Sequence, residues 1–136
     1  MEPALENMML PRSPFRGPKG GVDINGLCSL LQFDQATLAR TLGVSRQAVS
    51  QQLRRKAQYV QPRSEAVRVF WDELNQVVAL LYALTDGTNN EDEIRLWLYS
   101  PNKALNLERP IDLIKRRKLE PLREALMDAF TAAHGG

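Results

Sequence analysis

The chain has 136 residues, 43% of them apolar and 25% charged, with a formal net charge of +2. That length suits one compact domain or two very small ones, and no apolar run is long enough to span a membrane. A single cysteine, Cys28, excludes an intrachain disulfide, and with a single histidine, His134, it excludes the common zinc sites.

The charge is unevenly spread. Residues 1–33 balance at zero, residues 34–63 carry six basic side chains against one acidic, and residues 64–136 carry nine against twelve. Only the middle segment has the footprint expected of a polyanion binder.

Residues 1–22 read as a flexible arm. Pro3, Pro11, Pro14 and Pro18, with Gly17, Gly20 and Gly21, disfavour helix and strand alike. The zero charge of this end favours a plain tail over an arm reaching into a minor groove. The segment lacks the basic-then-apolar layout of a signal peptide, so a cytoplasmic location is expected.

From Asp23 onward apolar residues recur at threes and fours, and the expected fold class is all-α. A short helix is predicted near Asn25 to Leu31, with Leu27, Leu30 and Leu31 on one face. Cys28 lies in this apolar stretch and reads as a small buried residue, since nothing nearby would lower its pKa. Further helices are predicted over Gln35 to Leu42 and Arg46 to Lys56, closed by Pro62.

A long helix follows, capped by Ser64, with Glu65 in its first turn and Gly87 as its stop. Val67, Phe70, Trp71, Leu74, Val77, Val78, Leu81 and Leu84 form its stripe. Val69, Leu80 and Tyr82 fall off it, which fits either a second partner or a central place in a bundle. Asn90 is expected to cap the next helix, with Glu91, Asp92 and Glu93 at its positive end and Pro101 beyond it. Without histidine these acids read as helix-end charges rather than a metal cluster. Pro110 opens a short helix to Ile114, and a last helix spans Leu119 to Ala132. Its stripe is Leu122, Leu126, Ala129 and Phe130.

The segment 34–56 has the layout of a helix-turn-helix. Ala39 is small where two helices would cross. Gly43 follows the first helix where a left-handed residue is needed. Val44 plugs the turn, Ser45 caps the second helix, and Leu38, Leu42, Ala48, Val49 and Leu53 supply the inner contacts. The outer face is then basic and amide-rich. Arginine can bridge guanine O6 and N7, and glutamine can pair with adenine. The N-terminal part of such a helix usually meets the bases. Arg46, Gln47, Ser50 and Gln51 are therefore assigned to base readout, and Ser45, Arg54, Arg55 and Lys56 to phosphates. One such unit covers few base pairs, so a homodimer on two half-sites is expected.

The stretch Leu96-Trp97-Leu98-Tyr99-Ser100-Pro101-Asn102-Lys103-Ala104-Leu105, followed by Pro110-Ile111-Asp112-Leu113-Ile114, resembles the toxin-binding domain of the Xre/MbcA/ParS antitoxins. In those proteins it also follows a helix-turn-helix. The resemblance covers most of residues 23–133. It implies an antitoxin that neutralises a RES-domain toxin, which consumes NAD or uses it for ADP-ribosylation, and that represses its own operon. The expected partners are that cognate toxin and operator DNA, with a homodimer inside a larger hetero-oligomer. The C-terminal end of such antitoxins lies at or in the toxin's active site. Carried over, the candidate toxin contacts are Asn102, Lys103, Arg116, Arg117, Thr131, His134, Gly135 and Gly136.

Two positions depart from the family pattern. A glycine is usual where Arg117 stands, and frequent where Asn106 stands. Trp97 and Leu105 read as scaffold that packs the turn onto the core. The basic run Lys115-Arg116-Arg117-Lys118 fits a solvated helix end, or a contact to phosphate or an acidic partner.

The expected organisation is an arm over 1–22, a helix-turn-helix region over 23–63, and a helical dimerisation and toxin-binding region over 64–136. No nucleophile–base pair, phosphate loop or metal set is visible, so neither an enzyme nor a cofactor is expected. The competing reading is a stand-alone dimeric helix-turn-helix transcriptional regulator, whose C-terminal region only dimerises.

Overall fold

The structure, a computed structural model, describes residues 12–54, 59–85 and 90–134. Among these it is all-helical. Seven α-helices are present: α1 (Ile24–Leu31), α2 (Gln35–Leu42), α3 (Arg46–Arg54), α4 (Glu65–Leu84), α5 (Asn90–Leu98), α6 (Pro110–Lys115) and α7 (Glu120–His134). Two single 3-10 turns lie at Pro18–Gly20 and Lys103–Leu105. No helix among the described residues is long and apolar enough to cross a membrane.

The helix starts follow local chemistry. The carboxylate of Asp23 accepts from the Gly26 amide, and that of Asp34 from the Thr37 amide. The Ser64 hydroxyl accepts from Val67. Each satisfies an amide that the first turn leaves without a partner. Pro110 is the first residue of α6, where its missing N–H costs nothing. Asn90 is the first residue of α5 rather than its cap, and its amide donates to the Thr85 hydroxyl at 2.9 Å. The long helix ends at Leu84 with Thr85 as cap, while the expected stop, Gly87, lies outside the described residues.

One continuous core joins the described helices. Trp71, Leu74, Leu38, Leu42, Ile94, Leu98, Ile111 and Ile114 are fully buried in it. The helix α4 lies at its centre, packed against α7, α5 and α2. This accounts for Leu80 and Tyr82 beyond its stripe, whereas Val69 is 44% exposed. Leu80 is only 3% exposed, and the half-buried Tyr82 turns its hydroxyl to Glu91. Those side chains serve the bundle.

The described part of the expected arm is packed instead. Phe15 is 7% exposed, edge-to-face with Tyr82, and its ring lies against Gly26, where a β-carbon would come within 2.3 Å of it. Val22 is buried and pairs with Val60 through two backbone bonds of 2.9 Å. Proline and glycine suppress regular elements, but they leave Phe15 and Val22 free to bury apolar surface.

The two halves are also joined at the end of α1. Arg95 donates to the carbonyls of Ser29 and Leu30, and the Tyr99 hydroxyl to that of Leu31. A helix C-terminus leaves these carbonyls without intrahelical partners and favours a cation there.

Candidate nucleic-acid interface

The helices α2 and α3 and the turn between them form one tightly packed unit. Gly43 adopts φ 75°, and its N–H closes back on the Ala39 carbonyl at 2.9 Å. A side chain there would be strained, as left-handed geometry disfavours any β-carbon. Val44 is buried in the turn, and the Ser45 hydroxyl accepts from the Ala48 amide at 3.0 Å. Leu38, Leu42 and Val49 are completely buried between the helices. Ala39 is buried and Ala48 is partly so. The buried Trp71 of α4 donates from Nε1 to the Leu42 carbonyl at 2.7 Å, tying the unit to the central helix.

This packing sets which face of α3 is free. Ser45, Arg46, Gln47, Gln51 and Arg54 are exposed. Ser50 is half-buried, and its hydroxyl accepts from Arg54 at 3.2 Å. Six of the eight expected DNA-contacting residues therefore share one exposed strip or its edge. The other two, Arg55 and Lys56, lie outside the described residues, as does the side chain of Leu53. Sequence reading missed Gln52, which is 5% exposed. It sits one residue past Gln51 on the inward side.

Asp34 is the sole acid of segment 34–63. The Thr37 amide holds its carboxyl below the usual range, and the charges of Arg40 and Arg46 act the same way. The carboxylate is thus engaged at the start of α2.

The second set of expected contact residues follows α5 in the chain. The Asn102 side chain accepts from the Ala104 amide at 2.8 Å, and its backbone pairs with Glu108. Between them Asn106 and Leu107 both take left-handed conformations, φ 57° and 67°. Asparagine tolerates this; leucine rarely does. Leu107 is also 66% exposed, and Leu96 on α5 is 72% exposed. Lys103 is exposed, while Leu105 is buried and Trp97 half-buried.

Arg109 forks onto Asp112 through bonds of 2.9 and 3.0 Å, and its guanidinium lies over the Tyr99 ring. Those bonds depress the Asp112 pKa. Arg116 pairs with Glu108. Arg117 has φ 61°, a left-handed geometry that favours glycine, and its guanidinium lies 4.3 Å over the Phe70 ring. Thr131 is exposed within the last turns of α7. The side chain of His134 and the residues Gly135 and Gly136 lie outside the described residues.

Among the described residues no group of histidine, cysteine and carboxylate side chains could hold a metal. Glu91 and Asp92 are paired with Arg95. Burial raises the Cys28 thiol pKa, and its sulfur donates to the Phe33 carbonyl. An open cleft of about 500 Å³ between α4 and the start of α7 is lined by Glu73, Arg117, Lys118, Glu120 and Glu124.

No family model matches the chain, and no curated protein matches it. Among solved structures, one similar chain comes from the crystal structure of the M. tuberculosis MbcT–MbcA toxin–antitoxin complex. It is 17% identical, with a TM-score of 0.49, over 82% of this chain and 93% of that chain. A likeness at this level carries no functional conclusion, and the chain's own residues must supply one.

Proposed function

We propose that this protein is an antitoxin that binds and inhibits a cognate RES-domain toxin and represses its own operon through residues 34–56. The observation that carries the DNA half is the exposed strip of Arg46, Gln47, Gln51 and Arg54 on α3. It is held outward by a buried inner face and by a turn with a left-handed glycine and a serine cap. A side-chain set of this kind suits base edges and phosphates. The toxin half rests on the resemblance of residues 96–114 to the Xre/MbcA/ParS toxin-binding domain.

The toxin would use NAD as substrate, and the antitoxin itself performs no chemistry. Its proposed toxin-facing parts are the Asn102–Lys103 turn and the end of α7 from Thr131, with His134, Gly135 and Gly136 entering the toxin's cleft. Arg116 and Arg117 are engaged within the chain, so they would shape this face before contacting a partner. Residues 23–63 would serve DNA and residues 64–136 the toxin and dimerisation, although one core runs through both. The operator-bound form would be a homodimer, and the compartment the cytoplasm.

Co-expression with the adjacent open reading frame tests the reading. The two products should co-purify, and growth should be rescued. Removing residues 131–136 should leave DNA binding intact and reduce rescue, whereas full rescue by the shortened chain would remove the C-terminal plug. A DNA-binding chain without a co-purifying neighbour would instead be a stand-alone regulator.

A further inference from the structure

Residues 102–108 form a closed loop after α5. The Asn102 carbonyl accepts from the Leu105 amide at 3.0 Å and from the Leu107 amide at 2.8 Å, and the Asn102 amide donates to the Glu108 carbonyl at 3.1 Å. The Glu108 amide donates in turn to the Leu105 carbonyl, across Asn106 and Leu107. Both of these central residues are left-handed, at φ 57° and 67°. Such positions favour glycine or asparagine, and a leucine there is strained.

The strain brings no burial in return. Leu105 turns into the core at 5% exposure, whereas Leu107 is 66% exposed. A strained residue that its surroundings hold in place points to a functional position. The acids beside it are already engaged within the chain, Glu108 by Arg116 and Asp112 by Arg109. Lys103, whose carbonyl accepts from the Asn106 amide, is exposed and has no ion pair among the described residues. The loop therefore offers one large apolar side chain and one unpaired cation.

We infer that Leu107 is the apolar anchor of the toxin-facing surface, entering an apolar socket on the toxin whose rim carries a carboxylate opposite Lys103. This rests on the antitoxin reading and names the residues that carry it at the 102–108 loop. An apolar floor suits a leucine whose neighbouring acids are neutralised, and an acidic rim complements Lys103. A second copy of this chain suits the loop less well. A two-fold contact centred there would bring two Lys103 ammonium groups together.

The test sets stability against binding in the full chain. Leu107→Gly and Leu107→Asn relieve the left-handed geometry, so neither should unfold at a lower temperature than the native chain. Both should bind the immobilised product of the adjacent open reading frame about tenfold to a hundredfold more weakly, the loss expected for one buried leucine. Leu107→Met keeps the apolar volume and should bind nearly as the native chain does. Lys103→Glu should weaken binding most at low salt.

Native-like binding by the glycine and asparagine variants overturns the anchor and leaves the antitoxin reading standing. No binding by the native chain overturns the antitoxin reading itself. A lower unfolding temperature in Leu107→Gly contradicts the strained, exposed geometry and overturns the inference. Unchanged binding by Lys103→Glu overturns the acidic rim. Retained toxin binding with dissociation of a homodimer in Leu107→Asn assigns the loop to a second copy and overturns the proposal.

Discussion

The Arg117 guanidinium lies 4.3 Å above the Phe70 ring while the Arg117 backbone holds φ 61°. The two facts oppose each other energetically. Left-handed geometry costs a residue with a β-carbon about 1 kcal/mol. A cation over an aromatic face at an exposed site returns about 0.5–1 kcal/mol. The turn that closes α6 thus keeps an arginine where glycine would be unstrained.

This makes the order of two variants predictable. Arg117→Gly loses the stack but relieves the backbone, and its stability should stay within about 1 kcal/mol of the native chain. Arg117→Ala loses the stack and keeps the strain. It should be less stable than the glycine variant by about 1 kcal/mol in urea unfolding. Equal stability of the two would show that residue 117 is not left-handed.

Gly26→Ala should destabilise, against the usual sign for a helix. Alanine normally gains up to about 1 kcal/mol over glycine there. A β-carbon at this position would lie 2.3 Å from the Phe15 ring. Overpacking costs about 1–3 kcal/mol and outweighs the propensity gain. Adding Phe15→Ala should remove the penalty, so the pair should be non-additive in a double-mutant cycle. Additive effects would mean that Phe15 does not sit on α1.

The two tryptophans should behave differently. Trp71 is fully buried and its indole N–H serves the Leu42 carbonyl. Trp71→Phe both loses volume and strands that carbonyl, at a cost of about 2–3 kcal/mol. Trp97 is half-buried on α5, and Trp97→Phe should cost about 1 kcal/mol or less. Thermal unfolding of the two variants reads the order, and a reversal would contradict the burial.

Asp112 should contribute stability that depends on pH. Its two bonds from Arg109 lower the folded-state pKa below the unfolded value. A depressed carboxyl stabilises the fold above the unfolded pKa and stops doing so as pH falls through the folded one. The native chain should therefore unfold at higher temperature than Asp112→Asn near neutrality. The gap should close on acidification below the ordinary carboxylate range. A gap that stays constant with pH would assign the effect to packing.

Much of the molecule was readable from local chemistry. The bounds Gln35 to Leu42 follow from an aspartate cap before and a glycine after, both satisfied within a few residues. Ser64, Gly43 and Pro110 act as expected for the same reason. The exposed strip on α3 also follows from periodicity, because the buried partners sit at steps of three and four. The packing of residues 12–22 was not foreseen because proline and glycine there report on backbone preference and say nothing about a slot for Phe15 beside Gly26.

Arg95 and Tyr99 illustrate the remainder. Each looks like an ordinary helical residue, yet both close the end of α1, more than sixty residues earlier in the chain. The bounds of α2 and the exposed strip on α3 were determined by the sequence itself, since caps, turn geometry and amphipathic period act over one or two turns. Only the tertiary structure decided that Lys115 stands beside Phe33 and that one core unites the two halves. Those outcomes depend on which helix faces bury surface against each other, a choice made between residues distant in the chain.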